Sequence, residues 1–219
     1  MPPTIRSKRT GSMGSITRTK HTVRSNQQVK VTALLMEATE RLIAGGSSFT
    51  ELSVERLSVE AGIARSTYYM HFKDKGQLIQ EFTRTITCEL VQANRSWWDI
   101  ASQTTRPQLH RAMIETMKIY RRHRAVFASL AETASYDPEV NAAFDGLLTA
   151  MAKNSLDAIR AGQQRGTIRK EVSEASFMAL VWMAERVAYR RVRNGSDKDL
   201  RQAAAIVTDI VWKALYTHA

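Results

Sequence analysis

The sequence has a single cysteine, Cys88, and only four prolines among its 219 residues. One cysteine cannot form an intramolecular disulfide, which is typical of a protein from a reducing compartment, and we expect this one in the cytoplasm. No apolar run approaches the roughly 18 residues of a transmembrane helix. The basic N-terminus is not followed by the apolar stretch of a secretory signal. The sequence therefore predicts a protein with neither a transmembrane helix nor a secretory signal, and no membrane partner is expected.

Signatures of catalysis are missing as well. There is no Walker A string, no dinucleotide-binding glycine fingerprint and no nucleophile elbow. Cys88 has no evident activating partner. The five histidines lack the spacing of metal ligands: His21, His71, His110, His123 and His218. We therefore predict no catalytic residues, no metal and no cofactor. An enzyme stays the less favoured alternative, and a ligand recovered chemically altered after incubation would favour it.

Basic residues are in excess, with 32 Lys and Arg against 21 Asp and Glu, for a net charge of +11. This imbalance favours polyanionic partners, with nucleic acid first and an anionic membrane surface second. Residues 1–26 have no acidic residue and are rich in Ser, Thr, Gly and Pro. They predict a flexible arm that tethers to DNA phosphates or a minor groove, or else a merely soluble tail. The basic residues of this arm are Arg6, Lys8, Arg9, Arg18, Lys20 and Arg24.

Helical periodicity dominates the rest of the chain, and alternation typical of strands is scarce. The first helix carries apolar residues at helical spacing from Val31 to Leu42 and ends at Gly45-Gly46. The sequence therefore predicts an all-α fold. The further helices are expected near 54–61, 65–71, 75–95, 107–122, 124–134, 137–166, 173–194 and 197–217.

The two short helices carry the most informative pattern, between residues 54 and 72. Gly62 can adopt the positive φ that a tight turn between helices demands, and Ile63 fills the angle between them. Tyr68 and Phe72 are four residues apart and face the same core. Ser66, Thr67 and Met70 are expected to point broadly outward, with Arg65, Tyr69 and His71 on the flanks. This arrangement is typical of a helix-turn-helix, whose second helix lies in the major groove of DNA.

These residues resemble the DNA-binding signature of the TetR family of transcriptional regulators. The signature is a glycine, a hydrophobe, a small residue, a basic residue, any residue, Thr, an aromatic, Tyr, any residue, His and Phe, with a lysine three residues on. The matching positions in this chain are Gly62, Thr67, Tyr69, His71, Phe72 and Lys75. The resemblance implies a helix-turn-helix DNA-binding domain at 27–78, between the arm and a C-terminal ligand-binding and dimerisation domain at 79–219.

The same resemblance implies which residues meet DNA. Ser66 and Thr67 would approach bases or their backbone, while Tyr69, His71 and Lys75 would hold phosphates. Arg65 flanks them as a further candidate, although it could simply solvate the helix end. Without the surrounding signature, Tyr69 and His71 would be interpreted as ordinary surface residues.

The chain departs from the family pattern at two positions. Gly76 stands where the family usually has glutamate, which weakens the start of the fourth helix. Ala64 offers no capping oxygen to the recognition helix, at a cost of about 1 kcal/mol. Neither change removes a residue of the signature.

The C-terminal part resembles one branch of the family, which contains the mycobacterial ethionamide-response repressor, at residues 180–186 and 210–216. That branch has an apolar tunnel in each subunit. Independently, Met113, Met117 and Tyr120 form one stripe on a helix, which indicates either a filled core or a pocket wall. The resemblance implies a tunnel lined by Leu109, Met113, Thr116, Met117, Tyr120, Leu148, Met151, Ser155, Val181, Ala184 and Val211.

The relatives have asparagines where this chain has Val181 and Ala184. We therefore expect a more apolar effector, lipid-like or aromatic, or one anchored elsewhere in the tunnel. The candidate anchors are Thr116, Tyr120, Ser155 and Glu185. Two basic runs, at 121–124 and 190–193, complement helix C-termini, and a phosphate site is the alternative.

We expect the last two helices to form a dimer interface, because the final helix has two apolar faces and therefore needs two partners, its own core and a second subunit. Leu200, Ala204, Val207, Val211 and Ala214 form one face, and the other carries Ile206, Ile210 and Trp212. The sequence thus predicts a homodimeric repressor that a hydrophobic small molecule releases from a palindromic operator. Activation instead of repression stays open. The alternative is a basic protein that binds nucleic acid without sequence preference or effector.

Overall fold

A computed structural model describes residues 15–98 and 104–217, with side chains described from residue 26 except those of Ser96, Trp98 and Asn154. Within these ranges the chain forms helices and no strand, so the predicted all-α fold is confirmed. The helices are α1 (Ser15–Ala44), α2 (Val54–Glu60), α3 (Arg65–His71), α4 (Lys75–Trp98), α5 (Arg106–Arg122), α6 (Arg124–Thr133), α7 (Pro138–Arg165), α8 (Glu174–Val187, continued by a π-helical turn, Ala188–Val192) and α9 (Asp197–Leu215).

Capping residues explain why these helices begin and end where they do. The Asp137 carboxylate accepts hydrogen bonds from the first backbone N–H groups of α7, at 3.0 and 3.2 Å. Gly166 ends the same helix in the left-handed conformation, with φ of +74°. Ser173 and Ser196 cap α8 and α9 through capping boxes. These boundaries agree with those expected from the sequence.

The first helix is longer than the sequence analysis predicts. It begins at Ser15, so residues 15–26 of the predicted flexible arm are helical. The physical reason is that no glycine or proline lies between Ser15 and Asn26 to interrupt a helix that continues through Ala44. Residues 1–14 of the predicted arm lie outside the described residues.

A small core joins α1, α2 and α3 at the N-terminal end. Leu35, Leu57, Tyr68 and Phe72 are each at most 1% exposed within it. Gly62 forms the turn between α2 and α3 with φ of +66°, a conformation that residues with a side chain rarely adopt. This turn sets the angle at which α3 leaves the domain surface.

The larger part of the molecule packs around α4 and α5. Helix α4 lies against α5 and α7, α5 lies against α9, and α7 contacts α8. The first turns of α4 contribute Leu78 and Ile79 to the buried core, and its last turn ends near Trp97, whose indole donates to the Tyr216 hydroxyl at 3.0 Å. One helix therefore runs from the three-helix domain to the far end of the C-terminal part.

Two glycines of α7 should respond oppositely to alanine. At Gly146 an added Cβ meets nothing within 4 Å, so Gly146→Ala should stabilise the helix by about 1 kcal/mol. At Gly162 the Cβ would lie 2.6 Å from buried side-chain atoms of Ile168. Overpacking should make Gly162→Ala destabilising by about 1–2 kcal/mol net. Urea unfolding at one protein concentration would measure both changes, and equal shifts in the midpoint would contradict the packing described here.

Candidate DNA-binding surface and ligand cavity

Helix α3 presents one face to the core and the other to solvent. Tyr68 is fully buried, and its hydroxyl donates to the Asp74 carbonyl at 3.0 Å, which fixes the helix against the start of α4. Ser66 and Arg65 are exposed, Thr67 is half-buried, and Tyr69 is 49% exposed. Arg65, Ser66 and Tyr69 of the predicted contact set are therefore open to solvent, and Thr67 is partly so.

Arg65 and Tyr69 contact each other on the exposed face of α3. The Arg65 guanidinium lies 5.6 Å from the centroid of the Tyr69 ring, within the range of a cation–π interaction. Met70 is 62% exposed on the same helix and Val59 is 75% exposed on α2. These two apolar side chains are outside the predicted contact set, although the spacing of Met70 from buried residues already places it on the outer face.

Lys75 and His71 are less available to bind DNA phosphates than the family resemblance implies. The Lys75 ammonium donates to the carbonyls of Phe49 and Thr50, at 3.0 and 2.8 Å, and burial lowers its pKa. It therefore fastens the α1–α2 loop, with one of its three donors left for other partners. The Nε2 of His71 is buried without a partner among the described residues, so this nitrogen faces away from solvent. Their phosphate contacts stay predictions.

The start of α4 compensates for the family departure at Gly76. The Gln77 side chain accepts from the Lys73 backbone N–H at 2.6 Å, while the Asp74 carboxylate accepts from the Gln77 N–H at 2.8 Å. These two hydrogen bonds cap a helix that begins with a lysine and a glycine.

A cavity of about 70 Å³ lies inside the C-terminal part, between α4, α5, α7, α8 and α9. Nine of the eleven residues predicted for the tunnel line it: Met113, Thr116, Tyr120, Leu148, Met151, Ser155, Val181, Ala184 and Val211. Its volume is well below the roughly 300 Å³ of small drug-sized ligand sites, so a larger ligand would have to move side chains. The flexible Met113 and Met151 are the walls best able to move.

Two predicted lining residues do not reach the cavity. Leu109 and Met117 are fully buried in the surrounding core. Met117 is rotated by about 100° from Thr116 around α5, and Leu109 lies one turn before Met113. Helix geometry explains why these two residues do not line the cavity. A stripe of neighbours spaced four residues apart extends further along α5 and further around it than the cavity does.

Helix α4 contributes cavity residues that were not predicted from the sequence. Leu90, Asn94 and Trp97 follow one another at i+4 and i+3 on this helix and face the cavity together. This helical spacing in the sequence could have identified the three residues as one face of α4. Helix α8 also adds Phe177 and Leu180, which were not predicted, and Glu185, which the sequence had suggested as a candidate anchor.

Most polar groups of the lining already have partners. The Asn94 amide donates to the Leu90 carbonyl and to the Thr116 hydroxyl, each at 2.9 Å. The Ser155 hydroxyl donates to the Met151 carbonyl at 3.1 Å. Thr116 and Ser155, two of the anchors expected from the sequence, are therefore engaged within the protein.

Carboxylates tie the N-terminal helices to the larger part. The Glu40 carboxylate of α1 accepts from the Ala125 and Val126 N–H groups, at 3.0 and 3.2 Å, at the start of α6. Burial raises the pKa of Glu40, against the lowering effect of these hydrogen bonds. On α4, Glu89 lies 3.1 Å from both Arg122 and His123. A movement of α4 or α6 would therefore also displace α1.

Helix α9 has the two faces that the sequence predicts. Leu200, Ala204 and Val207 are at most 3% exposed in the core. On the other side, Ile206 and Ile210 are 37% and 41% exposed. Trp182 of α8 is 56% exposed, whereas Trp212 stacks on Tyr216 with ring centroids 4.1 Å apart. An apolar strip thus remains uncovered on the last two helices.

The described residues contain neither a membrane-spanning helix nor a cluster of metal-ligating side chains. No helix in residues 15–98 or 104–217 is both long and apolar enough to cross a membrane. The same part of the chain has no cluster of three His, Cys, Asp or Glu side chains suited to a metal ion.

No family model and no curated protein matches the sequence. Solved structures do match, among them a protein from Mesorhizobium loti classed with TetR-family transcriptional regulators (TM-score 0.68, 15% identity, covering 88% of this chain and 98% of that one). The TetR-family regulator PfmR from Thermus thermophilus covers 82% and 97% (TM-score 0.60, 19% identity). The ketosteroid transcriptional regulator KstR2 of Mycobacterium tuberculosis covers 85% and 95% (TM-score 0.59, 19% identity). At these identities the likeness establishes the fold, an N-terminal helix-turn-helix followed by a C-terminal helical domain.

Proposed function

We propose that this chain is a dimeric transcriptional regulator of the TetR type, which binds a palindromic DNA operator and is released from it by a hydrophobic small molecule. The finer placement in the branch of the ethionamide-response repressor stays a prediction. The observation that carries the proposal is the outer face of α3, where Arg65, Ser66, Thr67 and Tyr69 are presented on a short helix that Tyr68 anchors from behind.

Charge supports DNA as the partner. The chain has a formal net charge of +11, and phosphate contacts from basic residues supply most of the sequence-independent affinity of DNA-binding proteins. The outer residues of α3 add hydroxyl and phenol groups, which bind phosphates and the edges of bases. A basic surface with an ordered recognition helix favours specific binding over purely electrostatic binding.

The effector part of the proposal rests on the cavity and its neighbours. Helix α4 lines the cavity through Leu90, Asn94 and Trp97, and it begins next to the recognition helix. A ligand that widens the cavity would displace α4 and change the spacing of the two recognition helices in a dimer. To relieve repression, this displacement must weaken DNA binding by a few kcal/mol.

Selection of bound DNA from a random pool tests the DNA-binding proposal. We expect the full-length protein to enrich a palindrome whose half-sites lie about one helical turn apart, or a multiple of it, because a two-fold dimer presents two copies of α3. Binding to this palindrome should exceed binding to a shuffled duplex by about a thousandfold or more at physiological salt.

A different result of the selection would contradict specific binding. If the selected pool had no consensus sequence and the protein bound both duplexes equally, the nonspecific nucleic-acid-binding alternative would be favoured. The salt dependence separates the two further, since nonspecific binding should disappear at moderate salt, where the palindrome is still held.

A further inference from the structure

The cavity has a single carboxylate among its described lining residues. Glu185 of α8 is 8% exposed, yet it is grouped with the apolar walls of the cavity. The other lining residues are mainly hydrocarbon, such as Leu148, Val181 and Val211. A carboxylate in such surroundings loses most of its hydration, and burial raises its pKa.

Glu185 has little compensation within the protein. The nearest cation is its chain neighbour Arg186, whose Nε lies 3.7 Å from the Glu185 carboxylate, beyond hydrogen-bond distance. The Arg186 side chain is 62% exposed and its guanidinium lies 5.3 Å from the ring centroid of Tyr189. Among the described residues, no hydrogen bond reaches the carboxylate of Glu185.

Tyr120 is the second polar group of the lining without a hydrogen bond to any described residue. Its ring stacks on Phe127 with centroids 4.1 Å apart, which fixes its orientation. Burial and the charge of Glu185 both raise the pKa of its hydroxyl, so Tyr120 stays neutral and can donate or accept a hydrogen bond. The cavity thus combines an apolar body with one acid and one phenol.

We infer that the cavity binds an apolar ligand bearing one protonated amine, which donates to the Glu185 carboxylate beside the Tyr120 hydroxyl. This inference rests on the proposed function only in taking the cavity as the effector site. A buried carboxylate accepts hydrogen bonds and donates none, and a cation compensates its desolvation better than a neutral group does. An ammonium at this position would also lower the pKa of Glu185 again.

The charge of the whole chain makes the inference discriminating. A protein with a net charge of +11 attracts anions and repels cations over its surface. Preference for an amine over a carboxylate of the same shape therefore cannot arise from nonspecific attraction to the protein. It has to come from a local acid.

Three probes with the same six-carbon chain test the inference: hexan-1-amine, hexan-1-ol and hexanoate. Their affinities for the full-length protein would be measured by calorimetry at neutral pH, with thermal shifts as a second readout. We expect the amine to bind about tenfold or more tightly than the alcohol, because both can donate a hydrogen bond to the carboxylate but only the ammonium adds an opposite charge, and hexanoate to bind most weakly.

Two variants identify the source of the preference. Glu185→Gln should reduce the amine-to-alcohol ratio to near one while leaving the affinity for hexan-1-ol unchanged. Glu174→Gln, which removes an exposed carboxylate from the same helix, should keep the parent ratio. Equal binding of amine and alcohol to the parent, an unchanged ratio in Glu185→Gln, or no binding of any probe would each overturn the inference.

Measuring operator affinity with and without hexan-1-amine separates this inference from the proposed function. A preference for the amine that depends on Glu185 supports the inference even where operator affinity stays the same, and that result would contradict effector release instead. A failure of operator binding in the absence of any probe would contradict the DNA-binding proposal alone.

Discussion

Replacing Thr67 and Tyr69 together by alanine should weaken binding to the proposed palindromic operator by about a thousandfold. Each substitution would remove a polar contact worth about 1 kcal/mol, and the proposed dimer would carry each contact twice, so about 4 kcal/mol would be lost. The same variant should fold normally, because Tyr69 is 49% exposed and Thr67 is half-buried at the surface of α3. Fluorescence anisotropy with a labelled operator would measure the affinity.

A matched control keeps this result interpretable. Thr149→Ala with Gln164→Ala changes one hydroxyl residue and one longer polar residue at exposed positions of α7, away from α3. It should leave the operator affinity unchanged. Full operator affinity in the Thr67 and Tyr69 variant, with both proteins equally folded by circular dichroism, would contradict the placement of α3 in the groove.

Single substitutions then sort the contacts by kind. Tyr69→Phe keeps the ring under the Arg65 guanidinium but removes the hydroxyl, so it should reproduce the loss of a phosphate contact alone. That loss should be similar for the palindrome and for unrelated DNA, since phosphates carry no sequence information. Thr67→Ala should instead reduce discrimination between the two duplexes.

The helix-turn-helix could be predicted from the sequence almost residue by residue, because its constraints are local. Gly62 has to supply a positive φ, and Tyr68 and Phe72 have to share one face of a two-turn helix, so short-range spacing decides the structure. The contacts of Lys75 with the Phe49 and Thr50 carbonyls join residues about 25 positions apart. Nothing in the local pattern of α4 indicates them.

The cavity was predictable only in part for a similar reason. Periodicity identifies which face of α5 is buried, and Met113, Thr116 and Tyr120 do face the cavity. Periodicity does not tell whether a buried face borders an empty space or another side chain, which depends on helices far apart in sequence. Leu109 and Met117 therefore pack into solid core although they share the pattern of the lining residues.

Introducing charge on the outer face of α9 should dissociate the proposed dimer. Ile206 and Ile210 are one turn apart and remain partly exposed although they are large and apolar. In a two-fold interface, Ile206→Asp with Ile210→Asp would place four carboxylates near the symmetry axis, where each loses hydration and repels the others. We expect the dissociation constant to rise by about a thousandfold or more, since the penalty is several kcal/mol. Sedimentation velocity would measure it.

Two controls separate the interface from general effects of the substitutions. Ile206→Val with Ile210→Val keeps the surface apolar and should remain dimeric. Leu34→Asp introduces a carboxylate at a 43% exposed apolar position of α1, outside the proposed interface, and should also sediment as a dimer. A dimeric Ile206 and Ile210 aspartate variant would show that α9 does not form the contact.

The dissociated variant also tests how the dimer recognises DNA. A monomer carries one copy of α3 and reaches one half-site, so the aspartate variant should bind an isolated half-site as well as the parent monomer does. It should lose most of its affinity for the intact palindrome at concentrations below the new dissociation constant, because the second half-site no longer adds a linked contact. Parent-like affinity of a monomer for the palindrome would separate operator recognition from the proposed two-fold symmetry.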